Sequence, residues 1–399
     1  MIHFKGIPEE DAVRPRKFMA RTNTTAYFRI DPQVVPSNRR STLTVMSRHD
    51  YLRLSGSYVI MVSPYLEHPY RSFACDPDSI IEVTEENGVL RFSYDFLTEQ
   101  MYRIVVAEQT AEGLHRLLQT EVYALDEDIR SQMPLIGDLH CHTIYSDGIE
   151  TPDLVLDSAI LHGLDFIAVT DHNNYQGSVE AQKSARERKL PITVLNGEEF
   201  SSSFTNMHII SLGAPRAVDP GWYLPEPTAE NQAVSVEELT GQLCQAIHEA
   251  GGLSVMCHPL WKPLRPDGGR MDVSMSLVRS LMGQGLFDAI EVVSGSPEGD
   301  CMTSHMQALM AQRFGAPPDR AAYLGSTDSH TYSIDPICGK HFTMVFSEGR
   351  SQSQILEAIR QRRTVAVQLI DDYNALCFGD IRLSMYAQFC LKHIQHKIH

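Results

Sequence analysis

LIGDLHCHTIYSDGIETPDLVLDSAILHGLDFIAVTDH, residues 135–172, decides the fold. It opens on a short apolar run at 135–140, passes through a helical pattern at 151–163 and returns to an apolar run at 165–170. Strand, helix, strand in this rhythm implies a largely parallel sheet. The rhythm continues downstream, with apolar runs at 192–197, 207–213, 253–258, 288–293 and 322–327 and helical patterns at 235–252 and 353–363. Seven strand-like runs predict an α/β unit, open or closed into a barrel, whose chemistry collects at the carboxyl ends of the strands.

The ends of those runs are rich in metal-binding side chains. The first run ends in His140-Cys141-His142 with Asp147 beyond it, the second in Asp171-His172 and the third in Glu198-Glu199. The fourth opens with His208, the fifth ends in His258-Pro259 and the seventh in Asp328-Ser329-His330. On an extended segment, residues two apart share a face, so His140 and His142 point together while Cys141 points away. Asp328 and His330 repeat that geometry. Imidazoles mixed with carboxylates suit Zn, Mn or Fe rather than the all-oxygen cages of Ca or Mg. A single histidine at a strand end is ordinarily a hydrogen-bonded structural residue. The recurrence carries the inference to a metal centre, because burying so many ionisable groups together without a cation is costly.

GDLHCHTIYSDG followed by GLDFIAVTDHN resembles the opening of the PHP (polymerase and histidinol phosphatase) family of metallohydrolases, and the resemblance extends over residues 134–370. It implies a distorted (β/α)7 PHP barrel. It also implies nine ligand positions, all filled here: His140, His142, Asp147, His172, Glu198, His208, His258, Asp328 and His330. Carried over by position, one ion sits on His140, His142, Glu198 and Asp328. A second sits on Glu198, His208 and His258, with Glu198 bridging, and a third on Asp147, His172 and His330. The resemblance thus implies two to three divalent transition-metal ions (Mn, Zn or Fe) and hydrolysis. Two cations close together lower the pKa of a bridging water so that hydroxide exists at neutral pH, and they polarise the bond under attack. Asp328 and Glu198 are the catalytic candidates, Asp328 orienting that water or shuttling its proton. The β-rich segment ahead of the barrel also resembles the CehA/McbA-type subgroup.

Around this set, Glu199 points to the opposite face of its strand from Glu198 and reads as a supporting residue. Glu291, mid-strand in AIEVVS, is placed to support a ligand histidine or to make a plain core hydrogen bond. The Pro- and Gly-rich loop HPLWKPLRPDGGR, 258–270, carries Trp261, Lys262, Arg265 and Arg270, and Lys340 and His341 come soon after the last ligand. Lys262, Arg265, Arg270 and Lys340 are the candidates for holding a substrate phosphate, against the plain reading of solvated loop charge. Trp222 lies in a second insertion at 214–234, a lid or a specificity wall.

Residues 20–124 have another character, with short β-type runs separated by turns and Asn87-Gly88 between two of them as a hairpin signal. They predict an N-terminal all-β sandwich-like domain. The polar stretch LDEDIRSQMP, 125–134, reads as a linker. The expected organisation is an N-terminal β domain plus linker at 1–133, the PHP barrel at 134–370 and a C-terminal extension at 371–399.

The composition is that of an ordinary soluble protein. At 43% hydrophobic and 21% charged residues the chain is neither collagen-like nor disordered. Its net charge of −16 is the wrong sign for a surface that attracts long nucleic acid or anionic lipid, while short oligonucleotides remain compatible. MIHFKGIPEEDAVRPRK lacks the apolar core of a signal peptide and no membrane-length apolar run is found downstream, so a cytoplasmic location is expected. The eight cysteines have no repeated C-x-x-C spacing and read as reduced thiols.

The leading expectation is a metal-dependent phosphoesterase acting on a small phosphomonoester or a nucleotide-like phosphodiester. The alternative is a carbamate, ester or amide hydrolase using the same centre. A non-catalytic scaffold would carry damaged ligand positions, and none is seen.

Overall fold

The computed structural model describes residues 27–66, 80–201, 207–218, 235–261, 275–295, 304–371 and 374–393. Lys262, Arg265, Arg270 and Trp222 lie outside the described residues. The chain divides into two compact units, residues 1–131 and 132–399.

Among the described residues, the first unit is all-β apart from one helical turn, Glu127–Arg130, inside the stretch expected to be a linker. Its strands are β1 (Phe28–Asp31), β2 (Val34–Pro36), β3 (Arg39–Ser47), β4 (Ser57–Pro64), β5 (Ile80–Thr84), β6 (Val89–Phe96), β7 (Gln100–Thr110) and β8 (Gly113–Leu125). They form two sheets, ordered β1-β3-β6 and β2-β8-β7-β4-β5. Alternation sets the inner face: Leu43 and Val45 of β3 are buried while Thr42 and Thr44 are not. They share one core with Leu90 and Phe92 of β6 and with Ile60, Ile104 and Leu118 of the other sheet, which makes the unit a sandwich. Asn87 (φ 56°) and Gly88 (φ 82°) form the expected tight turn, closed by paired hydrogen bonds between Glu86 and Val89. The hairpin ends there, because β5 then pairs with β4 and β6 with β3, in different sheets.

The second unit contains all seven expected strands. They are β9 (Met133–Asp138), β10 (Phe166–Ala168), β11 (Thr193–Leu195), β13 (Ile209–Leu212), β14 (Leu253–Met256), β15 (Ala289–Val293) and β16 (Ala322–Gly325), with a short β12 (Gly197–Phe200) split from the third run. Three further strands were not legible as such: β17 (His341–Ser347), β18 (Thr364–Asp371) and β19 (Asn374–Gly379). The sheets run β11-β10-β9-β17-β18-β19 and β12-β13-β14-β15-β16. Pairings β9/β10, β10/β11, β14/β15 and β15/β16 are parallel, and those at β12/β13, β13/β14 and β9/β17 are antiparallel.

The two sheets curl around one apolar core, in which Leu135, Phe166 and Leu195 meet Ile210, Val255, Ala289 and Leu324. Helix Gln352–Arg360, begun by a Ser351/Gln354 capping box, adds Ile355 and Ile359 to it. On the far face of the second sheet, Ile209, Ile290, Val292 and Tyr323 pack with helices Val236–Glu249 and Met275–Gly283. Glycines make the seams of this distorted barrel. A Cβ on Gly325 would stand 2.4 Å from the Phe342 carbonyl oxygen, and one on Gly197 would stand 2.7 Å from Thr170 Cγ2. At the rim the seams are stitched by the isolated parallel bridges Cys141 to Ser329 and His172 to Glu199. Among the described residues, no helix is long and apolar enough to cross a membrane.

Candidate metal centre

The rim bridges bring the candidate ligands together. The His142 amide donates to the Ser329 carbonyl (2.9 Å) and the Asp328 amide to that of His140 (2.9 Å), so the H-x-H and D-x-H segments lie side by side. Asp328 takes a left-handed conformation (φ 56°), which few side chains other than Asp and Asn tolerate. Cys141 is buried and turned away, its thiol directed at the Ala168 carbonyl.

Four ligand atoms then meet at one point. His140 Nε2 and His142 Nε2 are 3.2 Å apart. Each lies 3.1 Å from Asp328 Oδ1. Glu199 Oε2 is 3.1 Å from the first and 3.2 Å from the second. Ligands bound at ~2.0–2.1 Å to a tetrahedral ion are separated by roughly 3.3 Å, so these five distances match the edges of a coordination shell. A second group, His172, Glu199 and His208, shares Glu199 with the first, and His258 Nε2 stands 3.4 Å from Glu199 Oε1. A third group consists of His142, Asp147, His172 and His330.

Among the described residues the groups form around Glu199, and Glu198, expected both as a ligand and as a catalytic residue, falls in none of them. The pleat gives the reason. Phe200 and Ile209 are paired across β12 and β13 and both belong to the core outside the barrel. Glu199 is paired with Ile210, which belongs to the core inside. Glu198 therefore shares the outer face with Phe200, two residues on. It accepts a hydrogen bond from the Val218 amide, and burial pushes its carboxyl up to about 7. Of the other expected residues, His140, His142, Asp147, His172, His208, Asp328 and His330 fall in the three groups, and His258 borders the second.

Supporting contacts hold the set. Glu291 faces inward from β15; its Oε1 is 2.9 Å from His140 Nδ1 and its Oε2 accepts the His258 amide at 2.9 Å. This is the supporting role that its mid-strand position suggested. Asp138, which sequence reasoning passed over, accepts from Thr327 Oγ1 (2.6 Å), the Thr327 amide and Tyr332, and burial pushes its carboxyl up to about 6. Asp171 accepts from the amide and hydroxyl of Thr143 (both 2.7 Å) and from Ser146 (2.8 Å). The only signal for either was its place at a strand end.

Electrostatics agree with a cation site. Burial depresses His140, yet the carboxylates of Glu199, Glu291 and Asp328 hold it well above the ordinary histidine value. His142 is likewise buried and is raised to about 9 by Asp328 and Glu199. Burial opposes ionisation of Glu199, but His140 and His208 hold it well below the usual carboxylate range. His172 Nδ1 and Glu199 Oε2 approach to 2.9 Å, yet both are buried without a hydrogen-bond partner. Donor atoms that converge on one point without satisfying one another fit a bound divalent ion. Cys257 adjoins His140 and Glu291, and burial pushes its thiol well up.

Trp261 flanks the second group, its ring 5.4 Å from that of His208 and 5.3 Å from that of His258. Lys340 is exposed, and its charge bears on His162 and His341.

The model of the PHP domain matches residues 138–251, which contain His140 through His208 of the ligand set. An uncharacterized protein of Methanocaldococcus jannaschii is 32% identical over 134 residues, 31% of this chain and 67% of that protein. A 3′,5′-nucleoside bisphosphate phosphatase of Chromobacterium violaceum is 40% identical over 85 residues, 21% of this chain and only 28% of the phosphatase. Among solved structures, a two-domain protein of Bacteroides vulgatus containing a predicted PHP-like metal-dependent phosphoesterase superposes with a TM-score of 0.47 at 20% identity, covering 65% of this chain and 71% of that one. The chain belongs to the PHP domain family.

Proposed function

We propose that this chain is a phosphoesterase acting on a small phosphomonoester or a nucleotide-like phosphodiester, with three divalent transition-metal ions (Mn, Zn or Fe), one at each ligand group. The observation that carries the reading is the sharing of ligands. Glu199 falls in two groups, with an oxygen for each, and the groups also overlap at His142 and His172, so charges held there would lie close enough to act on one substrate. Bound divalent ions supply Lewis-acid charge there, lowering the pKa of water and polarising the bond to be broken.

The chain's own residues do the rest. His140 and His142 are held rigidly by burial and, for His140, by Glu291, so the ligand atoms need no rearrangement before reaction. Asp328 contributes Oδ1 to the inner group and keeps Oδ2 turned toward His258 Nε2, 3.9 Å away. That second oxygen is our candidate for orienting the attacking water and accepting its proton. Trp261 offers an aromatic face beside His208 and His258 for the organic part of the ester. The likeness to the Chromobacterium violaceum phosphatase supports a phosphate substrate for the shared segment.

The test is a hydrolysis panel with Mn²⁺-reconstituted protein on aryl phosphomonoester, aryl phosphodiester and aryl carbamate or acetate substrates. Phosphoester turnover lost in Asp328→Asn is the expected result. Turnover of the carbamate or acetate alone would overturn the reading in favour of carbonyl chemistry.

A further inference from the structure

We infer that Glu150 is a positioning residue that holds together the outermost ligand group, and that without its hydrogen bonds to Ser333 the centre keeps two ions instead of three. The inference rests on the proposed three-ion centre. The outer group draws Asp147 and His330 from two separate loops, and both side chains are exposed, at 57% and 37%. Packing therefore does not hold them as it holds His140 and His142. Their approach, 3.3 Å from His330 Nε2 to Asp147 Oδ1, depends on how the two loops are tied.

Glu150 takes part in two of three contacts that fix them, one closing the loop that carries Asp147 on itself and two joining it to the other loop. Its carbonyl accepts the Ile144 amide at 2.9 Å and closes the loop that carries Asp147. Its carboxylate, buried to 6% exposure, reaches the other loop and accepts the Ser333 amide at 3.1 and 3.0 Å together with the Ser333 hydroxyl. The third tie runs from the Ile149 amide to the His330 carbonyl at 3.0 Å. Gly148 completes the fold of the loop, because a Cβ there would stand 2.5–2.6 Å from the backbone of His142 and Thr143. A buried carboxylate bonded to a single residue of the opposite loop sets the register between Asp147 and His330. Residues hydrogen-bonded directly to a ligand are worth about 10–100-fold in metal affinity, and that range is the upper limit for Glu150, which acts through the loops.

The experiment is equilibrium dialysis of the full chain against Mn²⁺ with metal analysis, accompanied by circular dichroism and thermal melting. The wild type is expected to hold three ions and Asp147→Asn two. Glu150→Ala should also hold two, or bind the third more weakly by up to about 10–100-fold, with the inner ions retained and the fold intact. Glu150→Gln keeps an oxygen for the Ser333 amide and should keep the third ion. Ser333→Ala removes only the hydroxyl and should weaken the same ion by a smaller factor, which serves as the test if Glu150→Ala does not fold. Three ions of unchanged affinity in Glu150→Ala would overturn the inference. So would equal loss in Glu150→Gln, which would make charge the cause rather than the hydrogen bonds. A wild type holding two ions, unaffected by Asp147→Asn, would remove the outer site and the role of Glu150 while leaving the centre standing. No bound ion at all would overturn the metal-centre reading itself.

Discussion

The inner and outer ligand groups use the same residue types but are held in different ways. In the inner group, His140, His142 and Glu199 are fully buried and stand on strand ends or the turns directly after them. In the outer group, Asp147 and His330 are exposed and sit on loops that only hydrogen bonds keep in register. A site built on strands inherits the precision of the sheet, whereas one built on loops has the precision of its ties. The inner group is thus expected to tolerate surface change and to fail only when a ligand or its direct support is lost. The outer group is the adjustable part.

The largest effect expected from this contrast is at β12. Glu199→Gln removes a carboxylate that two groups share, several kcal/mol of transition-state stabilisation, and should lower kcat/KM about 10³-fold with loss of metal. Glu198→Gln should leave both within a few-fold, since Glu198 faces away. Steady-state kinetics and metal analysis of the pair decide the matter, and the reverse ranking would break the assignment.

The adjacent Glu198-Glu199 shows where sequence reading stops. Both residues stand at the end of the third apolar run, and either could serve as the shared ligand. Only the pairing of Phe200 with Ile209 on the outer face tells which carboxylate turns inward. The histidines were legible because H-x-H and D-x-H repeat at strand ends. The rest of the barrel was legible in its seven strand-like runs but not in β17, whose continuously buried HFTMVFS gives no alternation to read, nor in β18 and β19, which run out into exposed residues. Glu150 gave no signal, because its partner Ser333 is 183 residues away in sequence.

A smaller effect sharpens the contrast within the inner group. Glu291→Gln keeps the shape of β15 but removes the charge facing His140 Nδ1, and should weaken the inner ion about 10–100-fold, read by competition with a chelator. Asp147→Asn in the outer group should lower kcat/KM by about tenfold, because the inner ions remain. If Asp147→Asn proved as damaging as Glu199→Gln, the two groups would be equally essential and the contrast would fail.

The smallest effect on the centre, none at all, is expected from a histidine outside it. His341, at the start of β17, is 4% exposed, and burial pushes its imidazole down to about 4, with Lys340 adding to the shift against Asp335. The unfolded chain takes up this proton near pH 6.5, whereas the folded chain resists until about pH 4. Stability from this residue is therefore complete above pH 6.5 and is lost as pH falls toward 4, by roughly 3 kcal/mol. In chelated protein, urea melts from pH 7.5 to pH 4.5 should show that decline, and His341→Phe should flatten it. A slope unchanged in His341→Phe would assign the acid sensitivity instead to the carboxylates of the centre that are held below their usual range, Glu199 and Asp328.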